Sequence, residues 1–157
     1  MWIHCEGREI CVYRELLEKL LKEQPYAQLQ EPCSEEEIAE AERYVGFAFP
    51  DELKDLLWET NGDRWLLLSA KGMMEHVKMN REIYPEFLEP DEFAEKIDRH
   101  VFFASNGCGD YFCYHVLPNG ETDASAIYIW EHELFETRKI AKDMAELITK
   151  YYTGEIG

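Results

Sequence analysis

Basic residues are scarce in this chain: 16 Lys and Arg stand against 33 Asp and Glu in 157 residues, a formal net charge of −17 at pH 7. That balance argues against direct nucleic-acid binding, because affinity for phosphate comes largely from Lys and Arg displacing counterions. It argues equally against an anionic membrane surface, and a folded domain this acidic would attract a basic protein instead. No apolar run approaches the roughly 18 residues of a membrane span. Met1-Trp2-Ile3-His4-Cys5-Glu6 lacks the basic n-region and apolar stretch of an export signal. The five cysteines, Cys5, Cys11, Cys33, Cys108 and Cys113, form no C-x-x-C pair, and an odd number leaves at least one unpaired in any intramolecular scheme. Reduced thiols and a cytoplasmic location are the expectation. No repeat or linker-like stretch divides the chain, and 46% hydrophobic content with 13% aromatic suffices for one core, so residues 1–157 are expected to form a single domain.

What is present is patterned. Val12, Leu16, Leu17, Leu20 and Leu21 recur at helical spacing and predict a helix from about Val12 to Lys22, ended by Gln24-Pro25. Ser34 followed by Glu37 fits a capping box for a second helix over 35–45, with Ile38, Ala41, Glu42 and Val45 on one side. Gly46 stops it, and Pro50 with Asp51-Glu52 opens a third helix that ends at Thr60-Asn61-Gly62. Trp65 to Ser69 reads as a buried first strand, Met74 to Ile83 as a short helix, and Tyr84 to Glu92 as an irregular acidic segment broken by two prolines. His100–Ala104, Tyr111–Val116 and Ala126–Trp130 read as an antiparallel meander, and Ile140, Met144, Leu147, Ile148 and Tyr151 predict a closing helix from about Ile140 to Tyr152. Helices first, then strands with one closing helix, point to an α+β fold: a mostly antiparallel sheet with helices packed mainly on one side.

The chemistry-bearing motifs are sparse. Asn106-Gly107-Cys108-Gly109-Asp110 matches neither G-x-x-x-x-G-K-[ST] nor G-x-G-x-x-G opening a helix, and strand residues follow it, so it reads as a turn. Cys108 as a nucleophile would need a neighbouring base. Glu131-His132-Glu133 offers an acid/base pair or metal ligands, with His115 and either His4 or His100 as further partners. On a strand, however, residues 131 and 133 share one face and the imidazole takes the other. With no H-E-x-x-H and no paired Cys/His spacing, neither a metal site nor a cofactor is expected. The runs Glu35–Glu37, Glu86–Glu95 and Glu131–Glu136 read as solvated faces. Trp65, Tyr84, Phe87, Tyr111 and Trp130 read as core, and any of them exposed beside acids would be an interface anchor.

The landmarks Ser34-Glu35-Glu36-Glu37-Ile38 with Glu42, Phe49-Pro50, Asn61-Gly62, Asn106 to Asp110, and Ile129-Trp130-Glu131-His132-Glu133 occur in an order that resembles the SUKH superfamily, the Smi/Knr-like group. The resemblance implies a small α+β domain, mostly a binding protein, and in many bacterial members an immunity protein that neutralises a toxin of a polymorphic toxin system. It places Glu42, Pro50, Gly62, Gly109, Asp110, Trp130, His132 and Glu133 at family-matching positions. Apart from the resemblance, the charge of Asp91, Glu92 and Glu95 makes them the candidate contact run for a basic partner. The first 30 residues hold no matching landmark and are expected to be a helical extension. Three functions follow as expectations. The first is a non-catalytic immunity protein for a basic toxin. The second is a regulatory scaffold of the kind the eukaryotic members represent. The third is an enzyme using the carboxylates and His132.

Overall fold

Ser34 and Glu37 close the capping box that the sequence predicts: the serine hydroxyl accepts from the Glu37 amide at 3.1 Å and the Glu37 carboxylate accepts from the Ser34 amide at 2.9 Å. The helix they start runs to Val45 and stops at Gly46. The computed structural model describes residues 11–156. Helices α1 (Val12–Leu20), α2 (Glu35–Val45), α3 (Asp51–Glu59), α4 (Ala70–Ile83) and a short α5 (Pro90–Phe93) precede strands β1 (His100–Ser105), β2 (Tyr111–Val116), β3 (Thr122–Glu131) and β4 (Glu136–Ala141), and α6 (Met144–Tyr152) closes the chain.

The four strands pair antiparallel in the order β1-β2-β3-β4. Strand alternation sorts the side chains into two layers. Val101, Phe103, Phe112, Tyr114, Ile127 and Ile129 join the large core built with α1, α2, α3, α4 and α6. Phe102, Tyr111, Cys113 and Trp130 point to the opposite face and form a second, aromatic cluster with Ile97. The fold is thus α+β with a mostly antiparallel sheet, its helices gathered mainly on one face and a thinner helical cover over residues 84–98 on the other. No helix among the described residues is long and apolar enough to cross a membrane.

Four local expectations need correction. Residues 65–69 are no sheet strand; Leu67 makes one isolated bridge to Ala104, and Trp65 is 50% exposed. The cause is Asp63, whose carboxylate Oδ1 accepts from the amides of Trp65, Leu66 and Leu67 at 3.0, 2.9 and 2.8 Å. Amides spent on a side chain cannot enter a ladder, so only Leu68 is left to donate to β1, at Phe103. β4 was not expected, because Glu136, Arg138 and Lys139 are exposed and its apolar signal is confined to Ile140-Ala141. Ile140 therefore belongs to a strand, and α6 begins at Met144, capped by the Asp143 side chain through the Glu146 amide at 2.9 Å. α4 begins at Ala70, four residues earlier than expected, capped by Ser69 through the Gly72 amide. The segment Tyr84 to Glu92 is less irregular than its prolines suggest: it holds a 3-10 turn over Tyr84–Glu86 and most of α5, and a π turn over Ala94–Asp98 follows.

At the amino-terminal side, α1 packs on α3 and α6. Glu59 of α3 accepts from the Tyr13 and Arg14 amides at 2.8 and 3.0 Å, so a carboxylate serves the donor end of α1. Cys33, Cys108 and Cys113 are free thiols, whereas Cys11 is disulfide-bonded, which corrects the expectation of reduced thiols at that position. His4 and Cys5 lie outside the described residues.

Candidate interaction surface

Two of the sequence-singled motifs meet. The β1–β2 turn places Asp110 against the start of the β3–β4 hairpin, where its Oδ1 accepts from the His132 amide at 3.0 Å and lies 2.7 Å from His132 Nδ1. Burial raises the Asp110 carboxyl, but the bonds from the His132 amide, the His132 ring and Asn106 outweigh it and hold the group below the ordinary carboxylate value. Gly109 makes the approach possible. Its φ is +98°, and a Cβ there would stand 2.9 Å from His132 Nδ1. β3 ends at Glu131, so His132 and Glu133 sit in the turn and do not alternate along a strand. His132 therefore pairs with Asp110, while His100 and His115 lie at the other end of the sheet, where they pair with each other across β1 and β2. The Cys108 thiol is exposed and makes no hydrogen bond to the His132 ring. Among the described residues no group of three or more His, Cys, Asp or Glu is placed to hold a metal ion.

The other family-matching residues sit inside the fold. Glu42 Oε2 accepts from the Phe49 amide at 2.7 Å and pairs with Lys54 Nζ at 3.3 Å, fastening α2 to α3 across the Phe47-Ala48-Phe49 hinge. Gly62 has φ +79°, and a Cβ there would stand 2.8 Å from both the Leu67 oxygen and the Ser69 nitrogen, so no larger residue fits. Trp130 is fully buried, and its indole Nε1 donates to the Lys96 oxygen at 2.8 Å. A partner cannot touch it.

That indole bond joins two acidic runs that are far apart in sequence. Trp130 holds the 94–98 turn, while Tyr84 packs edge-on against Phe135 of the hairpin at 5.4 Å and against Trp130 at 6.5 Å. Residues 82–98 and the β3–β4 hairpin thus share one side of the sheet. Asp91, Glu92 and Glu95 are exposed there, and Glu92 pairs with Lys96 at 3.6 Å. Beside them Phe87 is 73% exposed, Leu134 of the hairpin 65%, Ile83 45% and Met79 43%. Of the aromatic residues named from sequence, Phe87 and Trp65 prove exposed, whereas Tyr111 and Trp130 are core.

A cleft of about 650 Å3 opens elsewhere, between the 30–32 loop, residues 61–69 and the start of α4, lined in part by Glu31, Arg64, Trp65, Ser69 and His76. Tyr26 stacks on Trp65, one of the lining residues, 5.1 Å between ring centres. Its histidine is committed: His76 Nδ1 lies 2.6 Å from the Tyr111 hydroxyl, and burial lowers the imidazole pKa. None of the carboxylate or histidine site candidates lines this cleft. Sequence reasoning also missed Asp63, which is fully buried, accepts three amides and receives the Tyr152 hydroxyl. The available signal was an Asx residue after Asn-Gly, a type that bonds the backbone two residues on.

Compared with known families, residues 32–150 match the SMI1 / KNR4 family (SUKH-1). No curated protein matches the chain.

Proposed function

The chain belongs to the SMI1 / KNR4 family (SUKH-1), and from that membership we propose a non-catalytic, protein-binding domain that acts as an immunity protein, neutralising a basic toxin of a polymorphic toxin system by stoichiometric capture. The family match carries the reading. The net charge of −17 supports a basic partner, because complementary fields steer encounter and disfavour like-charged competitors. Many nucleic-acid-cleaving toxins are basic for the reason this chain is not: they must hold phosphate. The Asp110–His132 pair supports a structural role better than an acid/base one, since the carboxylate also holds the His132 amide and so locks the two turns together. Residues 1–157 are then one binding domain, with α1 as an addition ahead of the matched region.

The test is a pull-down from the source cell with any toxin domain encoded beside this chain's gene co-expressed as bait, with capture and growth rescue as readouts. One-to-one capture with rescue supports immunity. Capture of a housekeeping protein without rescue moves the assignment to a regulatory scaffold.

A further inference from the structure

We propose that the partner docks on the face made jointly by the outer side of α4, residues 84–98 and the tip of the β3–β4 hairpin, with Phe87 as its central anchor; the inference rests on the binding function above and names its surface. Met79 and Ile83 are one helical turn apart and form an apolar ridge on α4, and the 3-10 turn over Tyr84–Glu86 leads from the end of that helix to Phe87. All three are more than 40% exposed, and the ridge is covered by no element of the described structure. The Tyr84–Phe135 contact brings the exposed Leu134 to the same end. An apolar ridge of this kind inside a polar rim marks a protein-binding site.

Charge identifies the occupant. Between positions 82 and 98 the acids are Glu82, Glu86, Glu89, Asp91, Glu92, Glu95 and Asp98, against the single basic residue Lys96. Glu92 is occupied by Lys96 and Asp98 by Arg81. The other five are exposed and make no ion pair within the described residues, and neither do Glu133 and Glu136 of the hairpin. Seven exposed, unpaired carboxylates around an apolar ridge fit a basic protein surface whose Lys and Arg side chains surround an apolar socket. The Trp130–Lys96 bond and the Tyr84–Phe135 contact hold both halves of the face before any partner arrives, which lowers the ordering cost of binding.

The test uses the full chain and, as probe, the basic protein it captures from the source cell or any toxin domain encoded beside its gene, with affinity measured by calorimetry and folding of each variant checked by circular dichroism. Phe87→Ala should weaken binding on the order of thirtyfold, the range of a hot-spot truncation. Asp91→Lys/Glu95→Lys should weaken it about a hundredfold at low salt, whereas Glu15→Lys/Glu18→Lys, which changes net charge equally on α1, should cost less than about threefold. Unchanged affinity for Phe87→Ala, or equal losses for the two charge reversals, overturns the docking face while leaving immunity standing. Failure of the wild-type chain to bind overturns both.

Discussion

The hydroxyl of Tyr152, on the last helix, donates to the carboxylate of Asp63, 89 positions earlier in the chain. The same carboxylate gathers three successive amides, so one side chain fixes the 63–67 segment and fastens α6 over it. Burial pushes the Asp63 carboxyl up and these donors oppose it. Asp63→Ala strands three amides, two of them on buried residues, and should cost roughly 3–5 kcal/mol in urea unfolding. Tyr152→Phe, which removes one donor, should cost about 1–2 kcal/mol. A loss below about 1 kcal/mol for Asp63→Ala would refute this role.

Gly109→Ala meets two penalties, an unfavourable φ and the His132 ring. The expected destabilisation is about 2–3 kcal/mol, and combining it with His132→Ala should relieve the steric part and leave about 1–2 kcal/mol for the backbone. Strict additivity of the two substitutions would show that the ring and the glycine do not interact.

Trp130→Phe keeps the aromatic packing but removes the donor to Lys96. It should cost about 1–2 kcal/mol and raise amide hydrogen exchange across residues 94–98. Exchange unchanged in that segment would mean that the indole bond does not hold the acidic turn to the sheet.

His100 is buried on β1, with Nδ1 2.8 Å from the Ile97 oxygen, and burial lowers its pKa to about 4, with His115 adding to the shift and Asp98 opposing it. Between pH 4 and 6.5 the unfolded chain binds a proton that the folded chain refuses. Stability therefore climbs with pH across that window and levels off above it, by roughly 3 kcal/mol in total from this group. His100→Asn, which keeps a donor near Nδ1, should remove most of that slope. The remainder belongs in part to His115, whose pKa is also lowered by burial. An unchanged slope between pH 7 and 5 would count against the assignment.

If complementary charge steers encounter, the association rate with the basic partner should drop steeply as salt is added while dissociation changes little. Stopped-flow at several ionic strengths separates the two, and salt-independent association would point to an interface led by its apolar ridge.

Much of the fold is legible in the sequence where local physics decides it. The Ser34–Glu37 box, Gly46 and the apolar spacing locate α2, and the β-branched and aromatic runs locate β1 and β2. It is less legible where one side chain overrides its neighbours. Trp65-Leu66-Leu67-Leu68 has the composition of a buried strand, but Asp63 takes three of its amides. β4 hides because an edge strand with exposed Arg138 and Lys139 needs little apolar signal. The candidate surface was half visible: the acidic run 86–95 is plain in the sequence, but its meeting with the hairpin depends on the Tyr84–Phe135 and Trp130–Lys96 contacts across the sheet, which no spacing encodes. Trp130, a family landmark, serves that packing from inside and not as a contact residue.

The strand order β1-β2-β3-β4 has a kinetic consequence. Every strand pairs with its neighbour in the chain, so residues 100–141 can zip hairpin by hairpin without closing a long loop, on the microsecond scale of hairpin formation. The Asp63–Tyr152 bond has the opposite character, since it cannot form until the last helix has been made. During synthesis the sheet can be assembled while the 63–67 segment still awaits its closing partner, and α6 acts as the latch.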